Sequence, residues 1–169
     1  MIKSSKAVVI GSSALLGALS LLLTHSVALA KHNGNVCQPV TAGDTDRIAR
    51  DQYGVRNTEI TNVAHVWCPI MKRTSGDESG NVLAAVVYDR NTSSNVTCTF
   101  AILDNDGNPV SGGVDTKSST SSGSSSQLLR FTGITAAESG NMGVACDIPP
   151  ATAGGALSYV TEFHWVNFP

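Results

Sequence analysis

The chain has 169 residues, 41% hydrophobic but only 14% charged and 5% aromatic, with a formal net charge of −2. That length supports one domain with one sizeable core. The weak acidic balance, with no basic cluster to overrule it, excludes nucleic acid and anionic membrane surfaces as expected partners.

The first thirty residues read as a signal peptide. Lys3 and Lys6 give a positive start, 7–23 is an apolar run diluted by Gly and Ser, and Ala28-Leu29-Ala30 supplies the small residues a signal peptidase reads. Cleavage after Ala30 leaves one domain, Lys31–Pro169, of 139 residues. It also removes two of the eleven basic side chains, leaving nine against thirteen acidic ones, a formal charge of −4. The expected location is secreted or periplasmic, with no membrane contact after cleavage. All four cysteines, Cys37, Cys68, Cys98 and Cys146, lie in the mature part. An even number in an exported chain reads as two disulfides, because the compartment is oxidising. Three connectivities are possible.

In chain order, Lys31–Asn35 is polar and reads as a loose terminus. His32 is the second mature residue, so it misses the amino-terminal position that copper-dependent polysaccharide oxygenases use as a ligand. Val36–Val40 is a short strand carrying Cys37, and Asp44–Tyr53 fits either a capped helical turn or a strand. Thr61–Cys68 alternates cleanly, with Val63, His65 and Trp67 on one face and Ala64, Val66 and Cys68 on the other; Pro69 ends it or marks an edge. After a polar loop over 73–81, Val82–Arg90 is apolar on both faces, as a covered central strand would be. The short link Asn91–Ser94 predicts a hairpin between Val82–Arg90 and Asn95–Leu103.

Asn95–Leu103 and Met142–Ile148 share one design. In each, a period-two pattern puts the cysteine on the apolar face, beside Phe100 and Ile102 in the first and Met142 and Val144 in the second. Matching faces favour a Cys98–Cys146 bond, which leaves Cys37 with Cys68. Between them, Asp104–Pro109 reads first as a tight turn, since EF-hand spacing would need Gly and Glu where Pro109 and Asp115 stand. Ser111–Ser126 holds eight serines in sixteen residues and is either an exposed edge strand or a flexible loop. Gln127–Thr132 returns to strand character, 136–141 is a turn region, and Pro149-Pro150 ends the Cys146 strand. The last strand, Ala156–Val166, is expected to turn Leu157, Tyr159, Thr161, Phe163 and Trp165 inward.

About seven to nine short strands with Gly/Ser/Asn/Asp turns predict an all-β antiparallel sandwich, jelly-roll-like or immunoglobulin-like, with two disulfides. Catalytic signals are sparse. The G-x-S-x-G elbow is absent, oxidised cysteines are no nucleophiles, and three of the four mature glutamates fall in predicted loops. Glu162 and His164 share a strand face, and with His65 they form the candidate metal set. Trp67 and Trp165 are the first candidates for stacking on a ligand, with Tyr53, Tyr88 and Tyr159 behind them. No cofactor is implied.

Several segments together carry a resemblance: Tyr53-Gly54-Val55-Arg56-Asn57, Trp67-Cys68-Pro69-Ile70, Val87-Tyr88-Asp89-Arg90, Val96-Thr97-Cys98 and Cys146-Asp147-Ile148-Pro149-Pro150. On these the mature domain resembles small secreted proteins of Gram-negative bacteria built on a four-cysteine β-domain. The resemblance implies an exported bacterial β-domain and carries no activity with it. The expected function is that of an exported, non-enzymatic binding or structural module for a cell-surface polymer or another secreted protein. A carbohydrate-binding module and a metal-dependent protein using His65 and His164 are the alternatives.

Overall fold

The computed structural model describes residues 31–70, 81–120, 125–134 and 141–167. The expected signal segment, most of the polar loop over 73–81, the centre of the serine-rich stretch and the turn region at 136–140 lie outside the described residues. The described chain forms eleven strands: β1 Lys31–Asn33, β2 Gln38–Pro39, β3 Ile48–Asp51, β4 Gly54–Asn57, β5 Ala64–Ile70, β6 Asn81–Tyr88, β7 Thr97–Leu103, β8 Pro109–Ser118, β9 Ser126–Phe131, β10 Asn141–Ile148 and β11 Tyr159–Asn167. This is two more strands than the upper expectation, because β1, β2, β3 and β4 are each four residues or fewer.

Two antiparallel sheets face each other. The larger runs β3-β4-β11-β6-β9, with β1 added to β11; the smaller runs β2-β5-β10-β7-β8. Among the described strands, every connection except β3–β4 and β7–β8 crosses from one sheet to the other, which is a jelly-roll-like pattern. The core lies between them. Leu83, Phe131 and Trp165 share one cross-strand row of the larger sheet, and Phe163 lies beside Ala85 in the next. The smaller sheet answers with Val66, Phe100, Ile102, Val144 and Ile148, all at most 2% exposed. Phe100 and Phe131 meet across the gap with ring centroids 5.9 Å apart.

Both disulfides form as expected, Cys37–Cys68 and Cys98–Cys146. Both lie within the smaller sheet. Cys98 stands directly opposite Cys146 on neighbouring strands, and the β2–β5 register places Cys37 opposite Cys68. An immunoglobulin domain instead bridges its two sheets.

The expected hairpin of Val82–Arg90 with Asn95–Leu103 does not form. β6 belongs to the larger sheet and β7 to the smaller, so the link between them is a crossing. Its chemistry is that of a buried corner. Asp89, 1% exposed, accepts hydrogen bonds from the Asn91 amide (3.0 Å) and from the hydroxyls of Ser119 (2.6 Å) and Ser158 (3.3 Å). The Asn91 side chain donates to the Pro150 carbonyl at 3.0 Å and accepts from the amides of Ser93 and Ser94, so both ends of its carboxamide are committed to the fold.

Pro69 does not end β5, which runs on to Ile70. Among the described residues β2 pairs with Val66 and Trp67 of β5, so Pro69 lies past its end, where a missing N–H costs no bond to β2. The stretch from Asp44 to Tyr53 combines both expected forms, a one-turn helix Ala42–Thr45 and then β3. Pro109–Ser118 takes the edge-strand alternative. The Asp104 turn closes on itself, its Oδ1 accepting from the amides of Asp106 and Asn108 at 2.9 and 2.8 Å, with Gly107 at φ 83°.

Asp44 anchors the helical turn to the smaller sheet. It is fully buried and accepts from the Thr41 hydroxyl (2.6 Å), the Thr41 amide (3.0 Å) and the His65 amide (3.0 Å). Burial opposes its ionisation, but the Thr41 hydroxyl and the two amides outweigh it and hold the carboxyl below the usual range. A lowered folded pKa gives stability that is present above the unfolded value of about 3.9 and lost as pH falls through the folded value. Asp44→Asn is therefore expected to cost roughly 1–3 kcal/mol at pH 7. The deficit should narrow in urea titrations below about pH 4; an equal deficit at both pH values would show that ionisation of Asp44 contributes nothing.

Candidate functional site

The candidate site is a cavity of about 700 Å³ on the outer face of the larger sheet. Its floor follows a cross-strand row from Tyr159 to Ser126. Tyr159 on β11 pairs with Arg56 on β4 on one side and with Tyr88 on β6 on the other, and Tyr88 in turn pairs with Ser126 on β9. Cross-strand neighbours have Cβ atoms about 5 Å apart, so these side chains form a continuous strip. The next outward row holds Asn33, Glu162 and Val86. Tyr53, 63% exposed, rises at the β3–β4 turn, and Gly155, Ala156 and Leu157 close the opposite side. All three tyrosines of the chain line this cavity.

A β-bulge builds it. The β11–β6 register slips between Val160 and Glu162, leaving Thr161 as the extra residue. The Thr161 hydroxyl donates to the Val86 carbonyl at 3.0 Å and so stays tied to β6. With Thr161 taken out of the alternation, Val160, Phe163 and Trp165 turn into the core while Tyr159 joins the outer face with Glu162 and His164. The expectation that Leu157 and Tyr159 face inward is thereby overturned. The misplacement was readable: strict alternation puts Val160 on a face with charged Glu162 and His164, and skipping one residue removes that conflict.

Two glycines make room for the bulge. A Cβ at Gly34, just after β1, or at Gly54, the first residue of β4, would overlap the Val160 carbonyl oxygen. Gly54 also has φ 131°, a backbone region that L side chains rarely adopt.

The wall is held by its own polar contacts. The Asn33 side chain donates to the Gln52 carbonyl at 3.2 Å, tying β1 to the Tyr53 turn. Arg56 donates to the Tyr159 hydroxyl at 3.2 Å, pairs with Asp51, and places its guanidinium carbon 5.6 Å from the Tyr159 ring centroid. Two charges of opposite sign, Arg90 and Glu162, line the same cavity.

The residues singled out from sequence are dispersed. His65 lies on the outer face of the smaller sheet with Nδ1 2.6 Å from Asp147 Oδ1. His164 lies on the larger sheet, 3.5 Å from Glu162 Oε1. The two histidines therefore stand on different sheets, and among the described residues no three His, Cys, Asp or Glu side chains are placed to hold a metal ion. His32 is buried opposite Phe163. Trp165, at 3% exposure, is a core residue with no face to offer a ligand. Trp67 is half-buried on the smaller sheet, its indole lying against Gly143, where a Cβ would overlap the ring. Of the residues named for stacking, the three tyrosines are those that gather on one surface.

Among the described residues no helix is long and apolar enough to cross a membrane. No protein-family model and no curated protein matches the chain. Among solved structures, the chain is similar in fold to a family two carbohydrate esterase from Cellvibrio japonicus, with a TM-score of 0.44 and 11% identity. The match covers 84% of this chain and 36% of that one, and at this level it carries no inference about activity.

Proposed function

We propose that this chain is an exported, non-enzymatic binding module and that its ligand seat is the tyrosine-lined cavity of the larger sheet. The carrying observation is the convergence of Tyr53, Tyr88 and Tyr159, drawn from three separate segments, on one concave surface. Its volume falls within the roughly 300–1,000 Å³ of ordinary ligand pockets. Partly exposed aromatic rings offer apolar area at small entropic cost and keep a polar tip for orientation. Two further observations support the reading. Among the described lining residues Glu162 is the one carboxylate, whereas hydrolysis of a glycosidic bond takes two facing each other. Two disulfides suit an oxidising compartment.

Two measurements test it. Fractionation of expressing bacteria should yield a product outside the cytoplasm whose intact mass begins at Lys31; retention of the full-length chain in the cytoplasm refutes export. The purified protein should co-sediment with insoluble cell-envelope polymer, and a Tyr53→Ala/Tyr88→Ala variant of unchanged melting temperature should not. Equal sedimentation of the two would place the seat elsewhere.

A further inference from the structure

We infer that the cavity takes a saccharide bearing a carboxylate, a uronic acid residue, and that Arg90 is the group that reads it. The inference rests on the reading of this cavity as the ligand seat. The described arginine and lysine side chains divide by partner. Arg47 pairs with Asp44, Arg56 with Asp51 and Lys117 with Asp115, while Arg50 donates to the Cys37 carbonyl and to Gln38. Arg90 and Arg130 have no side-chain partner among the described residues, and of these two it is Arg90 that lines the cavity.

The backbone of Arg90 is fixed while its guanidinium is left open. Its amide donates to the Ser158 hydroxyl at 3.0 Å, and fully buried Ser158 donates in turn to buried Asp89 at 3.3 Å. The buried corner between the sheets thus mounts Arg90 two residues beyond Tyr88, at one end of the Tyr88–Tyr159 pair. A guanidinium held this way presents a planar fork of donors that matches a carboxylate bidentately. Glu162 asks nothing of a ligand. It stands past the other end of the tyrosine pair, beside Val86, and has its partners within the fold, His164 Nδ1 lying 3.5 Å from its Oε1. The charge left for a ligand to answer is that of Arg90.

The rest of the wall selects a sugar ring to carry the acid. Tyr53, Tyr88 and Tyr159 supply faces on which the C–H side of such a ring stacks. β6 and β11 are paired on both sides, so the strands under the cavity offer no main-chain ladder to an extended peptide. A quaternary ammonium would meet Arg90 in the cavity and the Arg56 guanidinium 5.6 Å from the Tyr159 ring centroid.

The test is affinity electrophoresis of the purified protein through gels containing glucuronoxylan or polygalacturonate. Each is run beside its carboxyl-reduced copy, which keeps the sugar chain and loses the charge, and poly-glutamate gels stand for acidic polypeptide. At least one acidic polysaccharide should retard the protein, and its reduced copy should bind at least about ten-fold more weakly. Arg90→Ala should lose a similar factor at unchanged melting temperature, since the bond holding this residue in the corner comes from its backbone amide. Tyr53→Ala and Tyr88→Ala should each weaken binding about five-fold. Tyr53 is exposed in a turn, so its variant reports on binding even if Tyr88→Ala folds poorly. Equal retardation by a polymer and its reduced copy, or retardation that Arg90→Ala leaves unmoved while Tyr53→Ala weakens it, overturns the carboxylate and leaves the seat standing. Arg90-dependent binding that neither tyrosine substitution touches overturns the seat. Arg90-dependent binding of poly-glutamate without retardation by either polysaccharide overturns the saccharide. Absence of retardation by both acidic polysaccharides overturns the uronic acid, and co-sedimentation of the tyrosine variant then decides the seat by itself.

Discussion

Replacing Cys98 and Cys146 together with alanine is expected to destabilise the protein by about 4 kcal/mol, from loop closure over a sequence separation of 48. For a domain of this size, that corresponds to a fall in melting temperature of roughly 10–20 °C. Removing Cys37 and Cys68, which close 31 residues, should cost nearly as much by the same relation. The two losses should not add. Cys68 lies opposite Val144 and Cys146 opposite Val66, so the two bridges occupy neighbouring rows on the inner face of β5 and β10. Side chains that share neighbours couple in double-mutant cycles, typically by 0.5–3 kcal/mol. Melting temperatures of both pair variants and the four-fold variant measure this; strict additivity would show that the bridges act independently. Both bridges staple the smaller sheet, and the cavity lies on the other one. Tyrosine-dependent binding should therefore outlast loss of either bridge at temperatures where the variant remains folded.

The sandwich and the cysteine pairing were legible because each rests on local alternation. The cysteine of Asn95–Leu103 and that of Met142–Ile148 sit among inward apolar residues, so matching faces sufficed. The link 91–94 misled because Asn, Thr and Ser serve a tight turn and a crossing equally well. The deciding contact, Asp89 with Ser119 and Ser158, spans 30 and 69 residues. The site was hidden for the same reason. It is assembled from Asn33, the Tyr53 turn, the end of β6 and the start of β11, segments that only the sheet order brings together. Tyrosines at 53, 88 and 159 carry no spacing signal. Trp67 and Trp165 drew attention by size, yet large rings are what a small core consumes first: Trp165 fills it, and Trp67 covers Gly143.

The bulge that exposes Tyr159 gives the second large effect. Gly54→Ala is expected to cost roughly 2–5 kcal/mol, combining backbone strain at positive φ with overpacking against the Val160 carbonyl. The strain has no cheap release, because the atom in the way is backbone rather than the end of a flexible side chain. Relief requires β4 to draw away from β11, and Arg56 on β4 is the donor that holds the hydroxyl of Tyr159, a lining residue of the cavity, on β11. Melting temperature should fall, and near-ultraviolet tyrosine circular dichroism should change in whatever fraction remains folded. Gly107→Ala is the control. Gly107 also has positive φ, but a Cβ there would meet no atom within 4 Å, so it isolates the strain from the clash. If both glycines respond alike, close approach at Val160 contributes nothing and the bulge is not held by Gly54. If Gly54→Ala alone disturbs the tyrosine signal, the absence of one Cβ is what lets the bulge form and Tyr159 face outward.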